Sequence, residues 1–113
     1  MNVKSANLLL KFLIELAALA SFAIWGAETG SGVVAVVLAI AAPLAMVVLW
    51  GRFAAPRAPG RLSVRTRIPF ELTVFALAVV GLLTVGHTVA AIVLAGVVVV
   101  NSLALTAFDQ WEG

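Results

Sequence analysis

Four apolar runs, each about 20 residues long, constrain this chain more than any other feature. They predict helices at about 5–26, 31–51, 67–85 and 88–108. A helix needs roughly 20 apolar residues to cross a hydrocarbon core of about 30 Å. Valine and alanine fill the runs without period-2 alternation, which argues against a membrane β-barrel. A helix also satisfies its own backbone hydrogen bonds in lipid, where an isolated strand leaves them open. The fold class that follows is all-α: a polytopic membrane protein with four transmembrane helices, one domain over residues 1–113. Composition excludes the alternatives. Hydrophobic residues make up 64% of the chain and charged residues 11%, against about half and about a quarter in soluble domains. Disordered chains are more polar still. A cleaved leader is the competing reading of the first run. Lys11 and Glu15 would then lie in its apolar centre, which is ordinarily uncharged, so the run is read as a retained helix.

The connections set the topology. Residues 51–67 carry Arg52, Arg57, Arg61, Arg65 and Arg67 and no acid. Arginine-rich loops stay in the cytoplasm, so four spans leave both termini there too, in agreement with Lys4 and Lys11. That predicts a multi-pass protein of the bacterial cytoplasmic (inner) membrane. Gly86-His87 leaves almost no connection between the last two runs, which makes them a tight antiparallel hairpin. Aligned with itself at a spacing of 56, the chain pairs Glu15-Leu16 with Glu71-Leu72, Lys11 with Arg67 and Gly30 with Gly86. Ten of the 57 aligned pairs are identical, about twice what this composition gives by chance. The repeat predicts two helical hairpins in the same orientation, related about an axis along the membrane normal.

The buried charges are the candidate site. Glu15 lies about 10 to 15 Å from the cytoplasmic end of the first helix. An ionisable residue near the middle of a span costs roughly 2.5–3.5 kcal/mol on insertion scales. Lys11 is four residues earlier, on the same helix face. Two readings stand: a proton or cation site facing the bundle interior, or a pair that neutralises itself while Lys11 reaches for the interface. Glu71 repeats the arrangement with Arg67, just after Pro69. That also suits a first helical turn, where an acid favours the dipole. Asn101 is expected to hydrogen-bond a neighbouring helix. Together Lys11, Glu15, Arg67, Glu71 and Asn101 are predicted to form a polar intramembrane cluster. Arg52, Arg57, Arg61 and Arg65 are predicted to anchor topology and meet anionic lipid headgroups.

The remaining polar and aromatic residues carry weaker signals. His87 reads as a turn or interface residue rather than a metal ligand. Pro43 either kinks the second helix or is tolerated. Trp25, Trp50 and Trp111 suit interfacial belts. Small residues four apart (Ala17/Ser21, Ala41/Ala45, Ala91/Ala95) favour helix packing. Cysteine is absent, and no phosphate loop, paired histidine or Ser–His–Asp pattern is present. No catalytic residue, metal site or cofactor is assigned, an enzyme is not expected, and no soluble domain offers a nucleic-acid surface.

The stretch Trp50-Gly51-Arg52-Phe53-Ala54-Ala55-Pro56-Arg57-Ala58-Pro59-Gly60-Arg61-Leu62 resembles the YrdB-like family. So do Leu13-Ile14-Glu15-Leu16-Ala17-Ala18-Leu19 before Trp25-Gly26, and the later Glu71-Leu72. The resemblance spans essentially the whole chain. It implies a small bacterial membrane protein with four helices and brings no catalytic residue. A lesser likeness is to small multidrug resistance transporters, through length, helix count and Glu15. The chain departs from them in having no tyrosine and in an arginine loop that disfavours dual topology. Two functions follow as expectations. One is a small dimeric transport or permeation unit using Glu15 and Glu71. The other is a structural or accessory subunit packing against a larger membrane partner or anionic lipid.

Overall fold

The computed structural model describes residues 2–55 and 58–111. Those residues form four α-helices and no strand: α1 (Val3–Thr29), α2 (Gly32–Phe53), α3 (Val64–Thr84) and α4 (Thr88–Ala107). All four are long and apolar enough to cross a membrane. The Asn2 side chain caps α1 by accepting the Ser5 N–H at 2.8 Å.

Two helices depart from their expected bounds, each for a local reason. Helix α1 continues past Gly26 to Thr29, because the Gly26 carbonyl still accepts the Gly30 N–H, at 3.4 Å, while the glycine lies against the backbone of α2 at Leu38 and Ala39. Helix α3 starts at Val64 rather than 67. Ser63 is extended, and its carbonyl accepts the N–H groups of both Thr66 and Arg67. Pro69 therefore sits inside α3, where it cannot donate back to the Arg65 carbonyl. Helix α2 runs through Pro43 as one element. The α3–α4 turn needs its glycine. Gly86 has φ 89°, a region that side chains disfavour, and His87 N–H closes the turn onto the Leu82 carbonyl at 2.9 Å.

The helices make two antiparallel hairpins, with the chain ends and the arginine loop at one end (the loop end) and the short turns at the other (the turn end). Helix α1 is central and touches all the others. Ile14, Ala18, Val74, Phe75, Ala78, Leu82, Ala91, Leu94 and Val98 form an apolar core between α1, α3 and α4. Helix α2 leans on α1 and buries only Met46. It meets α3 through rings: Trp50 lies 5.5 Å from Phe75 and 6.2 Å from Phe70 between centroids. These rings hold α2 off α3, whereas α4 packs directly on α1, so the hairpins are not equivalent in packing. Of the small-residue pairs, only Ser21 and Ala91 are buried: Ala95 is half-buried, Ala17 faces a groove between α1 and α4, and Ala41 and Ala45 lie on the open face of α2. An open apolar groove of about 900 Å³ runs between the turn-end halves of α1 and α4, past Leu13, Ala17, Ile24, Val93 and Val97.

Candidate functional site

The spacing of four puts Lys11 and Glu15 on one stripe of α1, and Arg67 and Glu71 on one stripe of α3. The two stripes face each other near the loop end. Lys11 Nζ lies 2.6 Å from Glu71 Oε1 and 3.5 Å from Glu15 Oε2. Arg67 Nε donates to Glu71 Oε2 at 3.2 Å. Arg67 also donates Nη1 to the Leu62 carbonyl at 3.2 Å and Nη2 to the Trp111 carbonyl. Two cations and two carboxylates thus form one neutral chain of contacts. Arg67 and Glu71 are each only 2% exposed. The Glu15 side chain keeps 24% of its exposure. Glu71 is therefore the hub, held by both cations, and Glu15 is the edge.

Asn101 is buried but belongs to a neighbouring amide network. Its Nδ2 donates to Asn7 Oδ1 at 2.8 Å and to the Asn7 carbonyl at 3.0 Å. Asn7 Nδ2 donates to Gln110 Oε1 at 2.8 Å, and Gln110 Nε2 to the Lys4 carbonyl at 3.0 Å. This network staples the start of α1 to the end of α4. Asn101→Leu removes its two bonds to Asn7 and leaves Asn7 short of a donor. Interhelical bonds of this kind are worth about 0.6–2 kcal/mol, and a loss of that size is expected in denaturant unfolding of the variant in detergent.

The chain beyond α4 closes the site. Asp109 takes φ 53°, a left-handed turn that Asp tolerates better than most residues. The turn brings Gln110 onto Asn7 and Trp111 over Lys11, whose ammonium lies 5.9 Å from the Trp111 ring centre and 5.7 Å from that of Trp50. A cavity of about 250 Å³ remains among Lys11, Glu15, Glu71, Trp50, Arg61 and Trp111.

The predicted anchor arginines sit around this end. Arg52 is exposed, 5.9 Å from the Phe53 ring, and Arg65 is exposed at the start of α3. Arg61 Nε donates to the Ala54 carbonyl at 3.4 Å and borders the cavity. Arg57 lies outside the described residues. The loop folds on itself: Gly60 and Leu62 donate to the carbonyls of Arg52 and Phe53.

Sequence reasoning missed three features. Asn7 shares the Lys11 face at a spacing of four, so its part was legible. Gln110 and the walls made by Trp50 and Trp111 were not, because they depend on a turn and on distant segments. At the turn end, His87 Nε2 lies 2.6 Å from Glu28 Oε2, tying α4 to the end of α1. No group of three His, Asp or Glu is placed to hold a metal ion among the described residues.

A family model described as "Protein of unknown function (DUF2568)" matches residues 9–99, and the chain belongs to that family. The chain is 35% identical over 88 residues to the uncharacterized protein YrdB of Bacillus subtilis (strain 168), an alignment covering 72% of each chain. No solved structure matches. The family match contains Lys11, Glu15, Trp50, Arg67 and Glu71 and ends before Asn101.

Proposed function

We propose that this protein is a structural or accessory component of the bacterial cytoplasmic membrane, with both termini and the arginine loop in the cytoplasm, resting on anionic headgroups. The observation that carries this reading is where the charges go. Both intramembrane acids lie with Lys11 and Arg67, and beyond them the core toward the turn end is apolar. Ser21, the next polar side chain on the inner face of α1, bonds the Ala17 carbonyl of its own helix at 2.7 Å. Among the described residues no polar route through one protomer is supplied. Meanwhile Arg52 and Arg65 lie exposed at the loop end. Basic residues at the cytoplasmic surface of an anionic bilayer contribute about 1 kcal/mol each. The open face of α2 is the surface left for lipid or a larger membrane partner.

The test compares thermal unfolding in nanodiscs of phosphatidylglycerol and of phosphatidylcholine. The wild type is expected to be more stable in the anionic discs, by a margin that salt reduces. Arg52→Gln with Arg65→Gln should remove about 2 kcal/mol of that margin. Equal stability in both discs refutes headgroup docking.

One observation favours the second reading, a dimeric permeation unit. Glu15 holds Lys11 only at 3.5 Å and borders a second cavity beside Met46 and Trp50. Proton or monovalent-cation flux in proteoliposomes, abolished by Glu15→Gln, would establish it in place of the first.

A further inference from the structure

The surroundings of Lys11 come from four separate segments. Glu15 is on α1, Trp50 at the end of α2, Glu71 on α3, and Trp111 beyond α4. Their geometry is that of an ammonium receptor. Two carboxylate oxygens lie 2.6 and 3.5 Å from the nitrogen, and two indole rings flank it at 5.7 and 5.9 Å. Both ring distances lie within the roughly 6 Å over which a cation is drawn to an aromatic face. The cavity of about 250 Å³ beside them gives room next to the resident group.

Lys11 is a resident that can be displaced. Its charge is a compact ammonium on a flexible four-carbon stem, and its side chain keeps 18% of its exposure. It stands toward the loop end of α1, where a lysine can extend to the interface and keep its charge in water. Arg67 would stay on Glu71 through that exchange, since its other two donors are held by Leu62 and Trp111. The incoming cation would replace the departing one, so the cluster stays neutral.

We infer that the box formed by Glu15, Trp50, Glu71 and Trp111 is a binding site for a small organic ammonium group, which enters by displacing the Lys11 side chain. The group can be a free alkylamine or the amine of a phosphatidylethanolamine headgroup. This assignment does not rest on the docking of the arginines to anionic lipid.

The experiment follows indole fluorescence in a Trp25→Phe background, which leaves Trp50 and Trp111 as reporters. Ethylammonium chloride is titrated against sodium chloride at matched ionic strength, in phosphatidylcholine nanodiscs. A saturable change with ethylammonium alone is expected. It should weaken at least tenfold in Glu15→Gln and tighten at least tenfold in Lys11→Met, where the resident is gone. Repeating the titration with phosphatidylethanolamine in the discs separates the sources. A right-shifted curve identifies the headgroup as the occupant, and an unshifted curve identifies the free amine. No saturable change in the Trp25→Phe protein overturns the proposal. So does binding seen only in Lys11→Met, since the lysine would then not be displaceable.

Discussion

Glu71→Gln is expected to be among the most destabilising single substitutions in the chain, costing about 3–5 kcal/mol. Among the described residues Glu71 is the one carboxylate that both Lys11 and Arg67 touch, at 2.6 and 3.2 Å. Neutralising it leaves a net positive charge in a site where Arg67 is 2% exposed. Glutamine keeps the shape and some hydrogen bonding, so the loss reports charge rather than volume. Glu15→Gln provides the contrast. Its carboxylate is a quarter exposed and its ion-pair distance to Lys11 is long, so it should cost less than Glu71→Gln. Denaturant unfolding in one detergent checks both. A larger loss at Glu15 than at Glu71 would reverse the assignment of hub and edge.

Gly26→Ala should be damaging too, through sterics rather than charge. A Cβ at Gly26 would lie 2.3 Å from the Leu38 carbonyl oxygen and 2.7 Å from the Ala39 nitrogen. Both are backbone atoms of α2, so no side chain can swing aside. The hairpin must splay, and α2 has α1 as its main support. Overpacking of this kind costs about 1–3 kcal/mol and sometimes more, against about 1 kcal/mol gained from helix propensity. A net loss of up to about 2 kcal/mol and loosened α1–α2 packing are expected. Gly96→Ala is the control. It too lies within a helix, but nothing comes within 4 Å of its added Cβ, so it should be neutral or stabilising by up to about 1 kcal/mol. Thermal unfolding of the two variants side by side reads the difference.

What could be read from the sequence and what could not divide along physical lines. Helix number and class follow from apolar run length, which the bilayer or a buried core imposes on composition, and so they were legible. The pairing of Lys11 with Glu15 and of Arg67 with Glu71 follows from helical periodicity alone. That Lys11 reaches across to Glu71 follows from two basic-then-acidic stripes needing each other in an apolar setting. The partners of Asn101 were not legible. Its depth suggested the acids, but its azimuth on α4 turns it to Asn7, and azimuth depends on packing. Trp111 was read as a belt residue. The left-handed turn at Asp109 also carries it over Lys11, and nothing in a short polar segment announces that turn. The internal repeat hid the inequivalence of the hairpins, because Trp50, Phe70 and Phe75 separate α2 from α3 by bulk, which sequence identity at a spacing of 56 does not encode.

The central claim is that Lys11, Glu15, Arg67 and Glu71 form one self-neutralising structural unit. Its most direct test is the equilibrium stability of the fourfold variant Lys11→Met, Glu15→Leu, Arg67→Met and Glu71→Leu beside the four single variants and Glu71→Gln. Single removals strand a charged partner, whereas removing all four strands no charge and leaves only the Leu62 and Trp111 carbonyls without the Arg67 donors, and replacing a buried ionic group with apolar residues of similar volume is often neutral or stabilising. The fourfold variant is predicted to be at least as stable as the wild type and several kcal/mol more stable than Glu71→Gln, of order the 3–5 kcal/mol a broken buried pair costs. Losses that simply add across the four single variants would contradict the account.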